Sequence, residues 1–190
     1  IKFGSGNQTF EIGSQIQDWN FKEEFDYYLN ANNTVSFGIN AIHHTFKPGE
    51  IETGDGIDFV LNDIENTYAL ESAAYLQNEQ KIGKRFSMTY GLRYSNFAQI
   101  GPGDIYTFNE DGDAIDTTTY GNWDLVKMYH GLSPRFSAKY LLDEYSSVKA
   151  SYSRTYQYMH LLSNATASSP TDIWIPSSNN VKPQIADQWS

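Results

Sequence analysis

The sequence predicts an all-β fold, an antiparallel transmembrane β-barrel of which this chain supplies a part, about seven strands. Two observations support this class. Apolar and polar residues alternate with a period of two along most of the chain, as they do on the two faces of a pleated strand. The connections between the alternating segments are short and long in turn, which places the long ones together at one end of an antiparallel sheet.

The alternation is best developed in residues 133–164, which are predicted to form a long hairpin. After a polar interruption at 143–146, its second arm alternates for about a dozen residues, whereas strands usually have about five or six. A soluble sandwich and a membrane barrel both fit this hairpin alone. The two faces of its first arm are apolar and polar: Phe136, Ala138, Tyr140 and Leu142 against Arg135, Ser137 and Lys139.

The rest of the chain is predicted to follow the same plan. Residues 1–14 are rich in Gly, Asn and Ser and are expected to form a loop that enters the first strand. In that strand, residues 18–20 fit a tight turn or a bulge, and the bulge is favoured. The remaining strands and short turns are expected as follows: strands at 15–30, 35–46, 68–80, 85–94 and 184–190, and turns at 30–33 and 81–84.

Three long connections are expected, at residues 47–66, over roughly thirty residues after Phe97, and at 161–183. Loops longer than about 12 to 15 residues are uncommon in a soluble sandwich and have no reason to fall at one end. A membrane barrel combines short turns at one end with long loops at the other. The open edges of about seven strands are not tolerated by lipid, so the rest of the barrel is expected outside this chain.

The strand from residue 85 to 94 gives the clearest assignment of faces. Because one of its faces is apolar throughout and the other carries the charges, the first is predicted to face lipid and the second the lumen. The two sets are Phe86, Met88, Tyr90, Leu92 and Tyr94 for lipid, and Arg85, Ser87, Thr89 and Arg93 for the lumen.

Composition excludes several classes of protein. The 190 residues contain no run of about 18 apolar residues, so a helical membrane protein is excluded. There is no cysteine, which removes disulfides, thiolate metal sites and cysteine nucleophiles. The net charge of −10 argues against nucleic acid as a partner. Aromatic residues make up 15%, which suits membrane interfaces and wet binding surfaces.

No catalytic or metal constellation stands out. His43, His44 and His160 lie at strand ends, where histidines are more often solvated polar residues than metal ligands. Asn109, Asp111 and Asp113 have the spacing of calcium ligands, but no Glu follows at the twelfth position of such a loop. The sequence therefore predicts no enzyme, no metal site and no cofactor.

Binding residues are expected where strands pass into long loops. Tyr156, Gln157, His160 and Trp174 combine ring faces or polar tips with this position, which suits recognition of a sugar, peptide or chelate. An aromatic girdle or loop packing explains the same rings. The cations on the lumen-type face, which could steer an anionic cargo or pair with acids of neighbouring elements, are Arg85, Arg93, Arg135, Lys139 and Lys149.

Four segments together resemble a known family. HHTFKPGE (43–50), GLRYSNF (91–97), the stretch 133–164 and PSSNNVKPQIADQWS (176–190) resemble the barrel of TonB-dependent outer-membrane receptors. The resemblance is strongest to the Bacteroidetes type, which carries a carboxypeptidase-regulatory-like domain at its N-terminus. It covers essentially the whole chain.

This resemblance implies a barrel of about 22 strands closed by an N-terminal plug. Residues 1–190 are then part of the barrel domain, with plug and N-terminal regions not in this chain. The protein is expected in the outer membrane of a Gram-negative bacterium, among outer-membrane lipid, coupled to the TonB complex through the plug. The expected function is uptake of a scarce nutrient: an iron chelate, cobalamin, a glycan or a peptide. A surface lipoprotein is a further possible partner.

Two other functions stay open at this point. One is a non-transporting outer-membrane adhesin or structural barrel, which differs from a transporter in lacking a plug. The other is a soluble carbohydrate-binding β-sandwich, which would appear in the soluble fraction without detergent.

Overall fold

The computed structural model describes the backbone of residues 2–5, 8–53, 65–162 and 173–190, and the side chains of 14–47, 65–162 and 174–190. Within these ranges every regular element is a strand. No helix in the described residues is long and apolar enough to cross a membrane. The strands are β1 Lys2–Ser5, β2 Gln8–Asn30, β3 Asn33–Thr53, β4 Thr67–Ile82, β5 Phe86–Ile100, β6 Gly103–Phe108, β7 Ala114–Tyr120, β8 Leu125–Leu141, β9 Ser147–Gln157, β10 Met159–Leu162, β11 Ile173–Pro176 and β12 Gln184–Trp189.

Eight of these strands form one antiparallel sheet in the order β1-β2-β3-β4-β5-β8-β9-β12. The prediction of an all-β antiparallel fold is confirmed, with one strand more than expected. The sheet is not closed, because β1 and β12 form its two edges. An open sheet of this kind fits the predicted segment of a barrel wall. Two short ladders, β6-β7 and β10-β11, share no strand with this sheet.

The short turns lie where the sequence predicts them. Residues 31–32 join β2 to β3, residues 83–85 join β4 to β5, and residues 142–146 join β8 to β9. In the first, the Asn30 side chain accepts a hydrogen bond from the Asn32 backbone N–H at 2.9 Å. In the third, Asp143 accepts one from Tyr145 N–H at 2.7 Å. Because neighbouring strands are antiparallel, all three turns lie at one end of the sheet, here the turn end, and the opposite end is the loop end.

The bulge predicted at residues 18–20 is wrong. The pairing of β2 with β3 runs without interruption through Asp18↔His44 and Asn20↔Ile42, and its irregularities lie between Gly13 and Gln15 and between Tyr28 and Asn30. The polar side chains keep the strand regular because each finds a partner on the neighbouring strand. Asp18 bonds to His44, and Asn20 accepts a hydrogen bond from the Asn40 amide at 2.7 Å.

Several strands are longer than predicted. β2 begins at Gln8, inside the segment expected to be a loop, and β3 continues past Phe46 to Thr53. Their hydrogen-bonded ladder reaches Phe10↔Thr53, so mutual pairing extends both strands where the alternation of side chains has faded. Similarly, β8 begins at Leu125 because its pairing with β5 extends to Ile100. Residues 54–64 and 163–172 of the predicted long connections lie outside the described residues.

The segment after Phe97 leaves the main sheet as predicted, but only after Ile100, and it forms strands of its own. Residues 103–120 form a β-hairpin of β6 and β7, paired from Gly103↔Tyr120 to Phe108↔Ala114. Its tip is closed by Asn109, whose side-chain oxygen accepts hydrogen bonds from the backbone N–H groups of Asp111 and Asp113. The spacing that resembles a calcium loop is thus a turn closed by an Asn side chain.

The sheet has two distinct faces. The outer face is defined here by Leu92 and its neighbours, and the inner face by Arg93 and its neighbours. Register places the outer-face residues of β5 beside those of β8, with Tyr90 opposite Phe136 and Met88 opposite Ala138. The apolar residues that the sequence groups together therefore share one face of the sheet. That this face contacts lipid stays a prediction.

The apolar band of the outer face runs obliquely across the strands. Ile39, in the middle of the band on β3, lies in the same row as Tyr94, which is at the loop-end edge of the band on β5. Phe136, in the middle of the band on β8, pairs with Tyr90, closer to the turn end. Strands of a membrane barrel are tilted by about 35–45°, and a band parallel to the membrane then crosses them obliquely.

Candidate functional site

The inner face of the sheet is covered at the loop end by the chain itself. Phe46, Ala69, Phe97 and Tyr158 are buried there and form the hydrophobic cluster of the described residues. Tyr158 follows β9 directly, and its ring stacks on Phe97 with centroids 5.0 Å apart and planes 8° apart. Its hydroxyl lies 2.7 Å from Ser95 Oγ. The segment after β9 thus turns inward over the strands instead of continuing the wall.

A glycine on β8 makes room for this inward turn. A Cβ atom at Gly131 would lie 2.7 Å from Tyr158 Oη, 2.8 Å from Ser95 Oγ and 2.8 Å from Tyr156 Cδ2. Two tyrosine side chains therefore occupy the space that any larger residue would need. A glycine inside a strand often marks such a close approach.

A buried histidine lies on the same inner face. The ring of His44 is 1% exposed, and its Nδ1 lies 2.8 Å from Asp18 Oδ1. Its Nε2 lies 3.8 Å from Glu71 Oε2, too far for a hydrogen bond. β2, β3 and β4 each contribute one of the three residues. Because the His44 ring is buried between Asp18 and Glu71, these three residues link neighbouring strands next to the hydrophobic cluster and do not form an open site.

The short ladder β10-β11 lies against the inner wall. β11 contacts β3 and also approaches β2 and β4. Three hydrogen bonds hold the segment around it: Ser177 N–H donates to the Tyr158 carbonyl at 2.7 Å, Tyr129 Oη–H to the Ser178 carbonyl at 2.7 Å, and the Asn180 amide to the Tyr106 carbonyl at 3.1 Å. The last bond ties this segment to the β6-β7 hairpin.

The four residues predicted to bind ligand are close in space but do not converge on one point. Tyr156 is half-buried against Gly131 and Tyr158, with the two tyrosine rings 6.3 Å apart. Gln157 is exposed and donates a hydrogen bond to the Met159 carbonyl. His160 and Trp174 lie on opposite faces of the β10-β11 ladder, since His160 pairs with Ile175 and Trp174 with Leu161.

The two ladder residues differ in environment as a result. His160 is buried, its Nε2 lies 2.9 Å from Ser177 Oγ, and burial lowers the pKa of its imidazole. Trp174 is 39% exposed and is accessible to a solute. The ligand role of all four residues stays a prediction, and Gln157 and Trp174 are the two whose side chains face solvent.

Sequence reasoning missed a cavity next to this segment. A space of about 530 Å³ opens between the start of β4, the end of β5 and the start of the β6-β7 hairpin. Its lining includes Glu65, Gln99, Asp104 and Tyr106. The sequence signal for it is the Gly-Pro-Gly run at 101–103, which directly follows β5 and is itself followed by Asp104.

Comparison with family models decides the family. The TonB dependent receptor-like β-barrel model matches residues 2–190. The chain belongs to this family. No match was found among curated proteins or among solved structures. The barrel segment, its charged inner face and the inward-folded loop segment are thus parts of a TonB-dependent receptor, a family of outer-membrane receptors and transporters rather than of enzymes.

The receptor also carries a cationic region at the turn end of its inner face. Lys139 on β8 pairs directly with Lys149 on β9, and Ser87 on β5 separates Lys139 from Lys81 on β4. Lys81, Lys139 and Arg85 also line a cavity of about 190 Å³ at this end. None of these cations has an ion-pair partner in the described part of the chain.

Metal binding finds no support in the described residues of the receptor. They contain no group of three or more His, Cys, Asp and Glu side chains that could hold a metal ion. His43 packs on the Trp123 ring with centroids 5.5 Å apart. His44 is hydrogen-bonded to Asp18, and His160 to Ser177.

Proposed function

We propose that this chain is barrel wall of a receptor that binds a scarce nutrient at the outer mouth and admits it with energy from the TonB complex. The observation that carries the proposal is the family match over residues 2–190. The fold supports it, because loop segments fold over the polar inner face at the loop end, where a cargo enters. The cargo belongs to one of four classes: iron chelate, cobalamin, glycan or peptide.

The proposal includes an N-terminal plug inside the barrel, through which the TonB complex acts. The cations at the turn end support it. Like charges directly opposite each other on neighbouring strands are destabilising, so Lys139 and Lys149 call for an acidic partner. Acidic side chains of a plug that faces the inner wall would supply that charge. The Bacteroidetes type, its carboxypeptidase-regulatory-like domain and a surface lipoprotein over the mouth belong to the same proposal.

Uptake by cells tests the proposed function. The full-length receptor is expressed in a Gram-negative host that lacks its own receptors, with and without an intact TonB gene. Each of the four cargo classes is offered in turn as the limiting nutrient. Growth on one class is expected only with both receptor and TonB. Growth that needs the receptor but not TonB would overturn energy coupling. Surface attachment without growth on any class would favour an adhesin.

The rim residues provide a test of where cargo binds. Replacing Gln157 and Trp174 together by Ala should weaken binding of the cargo found in the uptake assay by about tenfold, because stacking on one ring contributes about 1 kcal/mol and the amide adds a hydrogen bond. Titration calorimetry on the purified full-length receptor measures this. Trp189→Ala is the matched control, since Trp189 lies on β12 and packs on Tyr152 of the outer face. Equal affinities of the double variant and wild type would remove these residues from the site.

A further inference from the structure

The cavity at the loop end has the chemistry of a binding site for one class of ligand. Its volume of about 530 Å³ is within the range of small-molecule sites, about 300–1,000 Å³. Two strand ends and one hairpin build its walls, so main-chain hydrogen bonds of β4, β5 and β6 fix its shape.

Glu65 and Asp104 are the charged residues of the lining, and its polar, uncharged side chains are those of Asn66, Thr67, Gln99 and Tyr106. Gln99 is 4% exposed, and its Oε1 is buried without a hydrogen-bond partner among the described residues. Glu65 Oε2 accepts a hydrogen bond from Asp104 N–H at 3.3 Å, and Asp104 Oδ1 accepts one from Thr119 Oγ at 2.6 Å. These bonds hold both carboxylates in place, and each keeps a second oxygen without a partner in the described residues.

The two carboxylates have no counter-charge from the protein. No Lys or Arg is among the described residues that line the cavity. The nearest cation by register is Lys127, which pairs with Gln99 across β5 and β8. Its ammonium instead lies over the Tyr129 ring, 5.7 Å from the centroid. A cationic ligand in this cavity would therefore meet two carboxylates that no lysine or arginine of the lining already neutralises.

The remaining lining suits a close approach by such a ligand. Gly103 has a φ of 148°, which side chains other than glycine rarely adopt, and a Cβ there would lie 3.4 Å from Glu65 Oε2. Because glycine has no Cβ, the Glu65 carboxylate stays accessible from the cavity. The exposed Tyr106 ring supplies an aromatic face, which attracts cations. The Asn180 amide holds the Tyr106 backbone in position.

We propose that this cavity binds a positively charged nitrogen group of the cargo, an ammonium or guanidinium. Glu65 and Asp104 supply the counter-charge, Gln99 Oε1 accepts a hydrogen bond, and the Tyr106 ring faces the cation. The inference rests on the proposed function in treating the cavity as a cargo site. Such a group is presented by basic peptides and by amino sugars, and an anionic chelate is disfavoured.

Calorimetry on the purified full-length receptor tests the inference with four probes: trilysine, a glucosamine trisaccharide, triglycine and triglutamate. The site variant is Glu65→Gln with Asp104→Asn, which keeps side-chain shape and the acceptor for Thr119. Glu110→Gln with Asp111→Asn is the matched control, because it removes the same charge from the exposed hairpin tip.

At least one of the two cationic probes is expected to bind the wild type and the control variant with equal affinity. Its affinity for the site variant should be lower by about tenfold or more, because the charge-assisted hydrogen bonds to Glu65 and Asp104 are lost. Binding of trilysine alone identifies a peptide, and binding of the trisaccharide alone an amino sugar. The inference is overturned if neither binds, if both variants lose affinity alike, or if triglutamate binds as well. TonB-dependent growth is also measured in cells that carry the site variant. If calorimetry overturns the inference while these cells still grow, the proposed uptake function stands and only the role of the cavity is wrong.

Discussion

Leu92 and Arg93 are neighbours in β5 that lie on opposite faces of the sheet. Leu92 pairs with Leu76, which is in the same row as Phe37, so its surroundings on the outer face are apolar. If this face contacts lipid, Leu92→Arg should destabilise the barrel by about 2 to 4 kcal/mol near the midplane. Urea unfolding of the full-length receptor in lipid vesicles measures the change.

Thr89→Arg is the control for Leu92→Arg. It places the same side chain on the inner face of the same strand, between Glu79 and Ser137, and should cost less than about 1 kcal/mol. Equal costs for the two variants would contradict the assignment of the faces.

Gly131 is a position where a single methyl group has a predictable effect. The Cβ of Gly131→Ala would meet Tyr158, Ser95 and Tyr156 at 2.7–2.8 Å. Overpacking of this kind costs typically about 1–3 kcal/mol, and here it should displace the segment after β9 from the inner wall. Thermal unfolding of the receptor in detergent measures the loss. Ser137→Ala, on the exposed inner face of the same strand, should leave the melting temperature unchanged; an equal shift would show that Gly131 has no special role.

The β10-β11 ladder is the element whose packing should respond to pH. Burial lowers the pKa of His160 below its ordinary value of about 6.5. The unfolded ladder then binds a proton more readily than the packed one. Its packing is stable above about pH 6.5 and weakens as the pH falls through that value towards the pKa of the packed state.

Hydrogen exchange at pH 5 and pH 7.5, corrected for intrinsic rates, should show loss of protection in residues 159–162 and 173–177 at the lower pH. His160→Gln does not titrate, and its amide can still bond to Ser177. This variant should lose the pH dependence. The same dependence in His160→Gln would assign it to another group.

Elements differ in how far the sequence predicts them. β4, β5 and the β8-β9 hairpin follow from alternation because each has one apolar face, and their turns follow from Asn, Gly and Asp. The β6-β7 hairpin escaped prediction because its strands, Gly103–Phe108 and Ala114–Tyr120, are short and its alternation is obscured by Asp and Thr. The additional length of β2 and β3 comes from mutual pairing, which a local pattern does not contain.

The candidate site was the least predictable part, because it too depends on contacts between segments that are far apart in the sequence. Tyr158 and Ser95 are 63 residues apart in sequence, and their contact depends on a glycine in a third strand. Gln99 gains its significance only when the hairpin after β5 closes over it. Alternation assigns residues to faces, but it does not show which part of a face another segment will cover.

At the scale of the whole molecule, acids cluster at the loop end of the inner face and lysines at its turn end, where Glu79 is also present. Asp18, Glu71, Glu65 and Asp104 lie at the loop end, and the lysines paired across β8 and β9 lie at the turn end. A cationic group would meet the acids first, and an acidic plug surface would be held near the turns. Whether cargo meets the acids or the lysines first depends on which end of the sheet faces the outside of the cell.

The orientation can be tested because the chain contains no cysteine. The antiparallel sheet places the β6-β7 hairpin at the opposite end from the β8-β9 turn, and in outer-membrane barrels the longer connections face outward. A membrane-impermeant maleimide added to intact cells should therefore label Asp111→Cys in the hairpin tip and leave Glu144→Cys unlabelled until the cells are opened. Both positions are exposed, so access to solvent does not separate them. Labelling of Glu144→Cys alone in intact cells would invert the topology, and the acidic cavity would then face the periplasm and could not be the first contact for cargo.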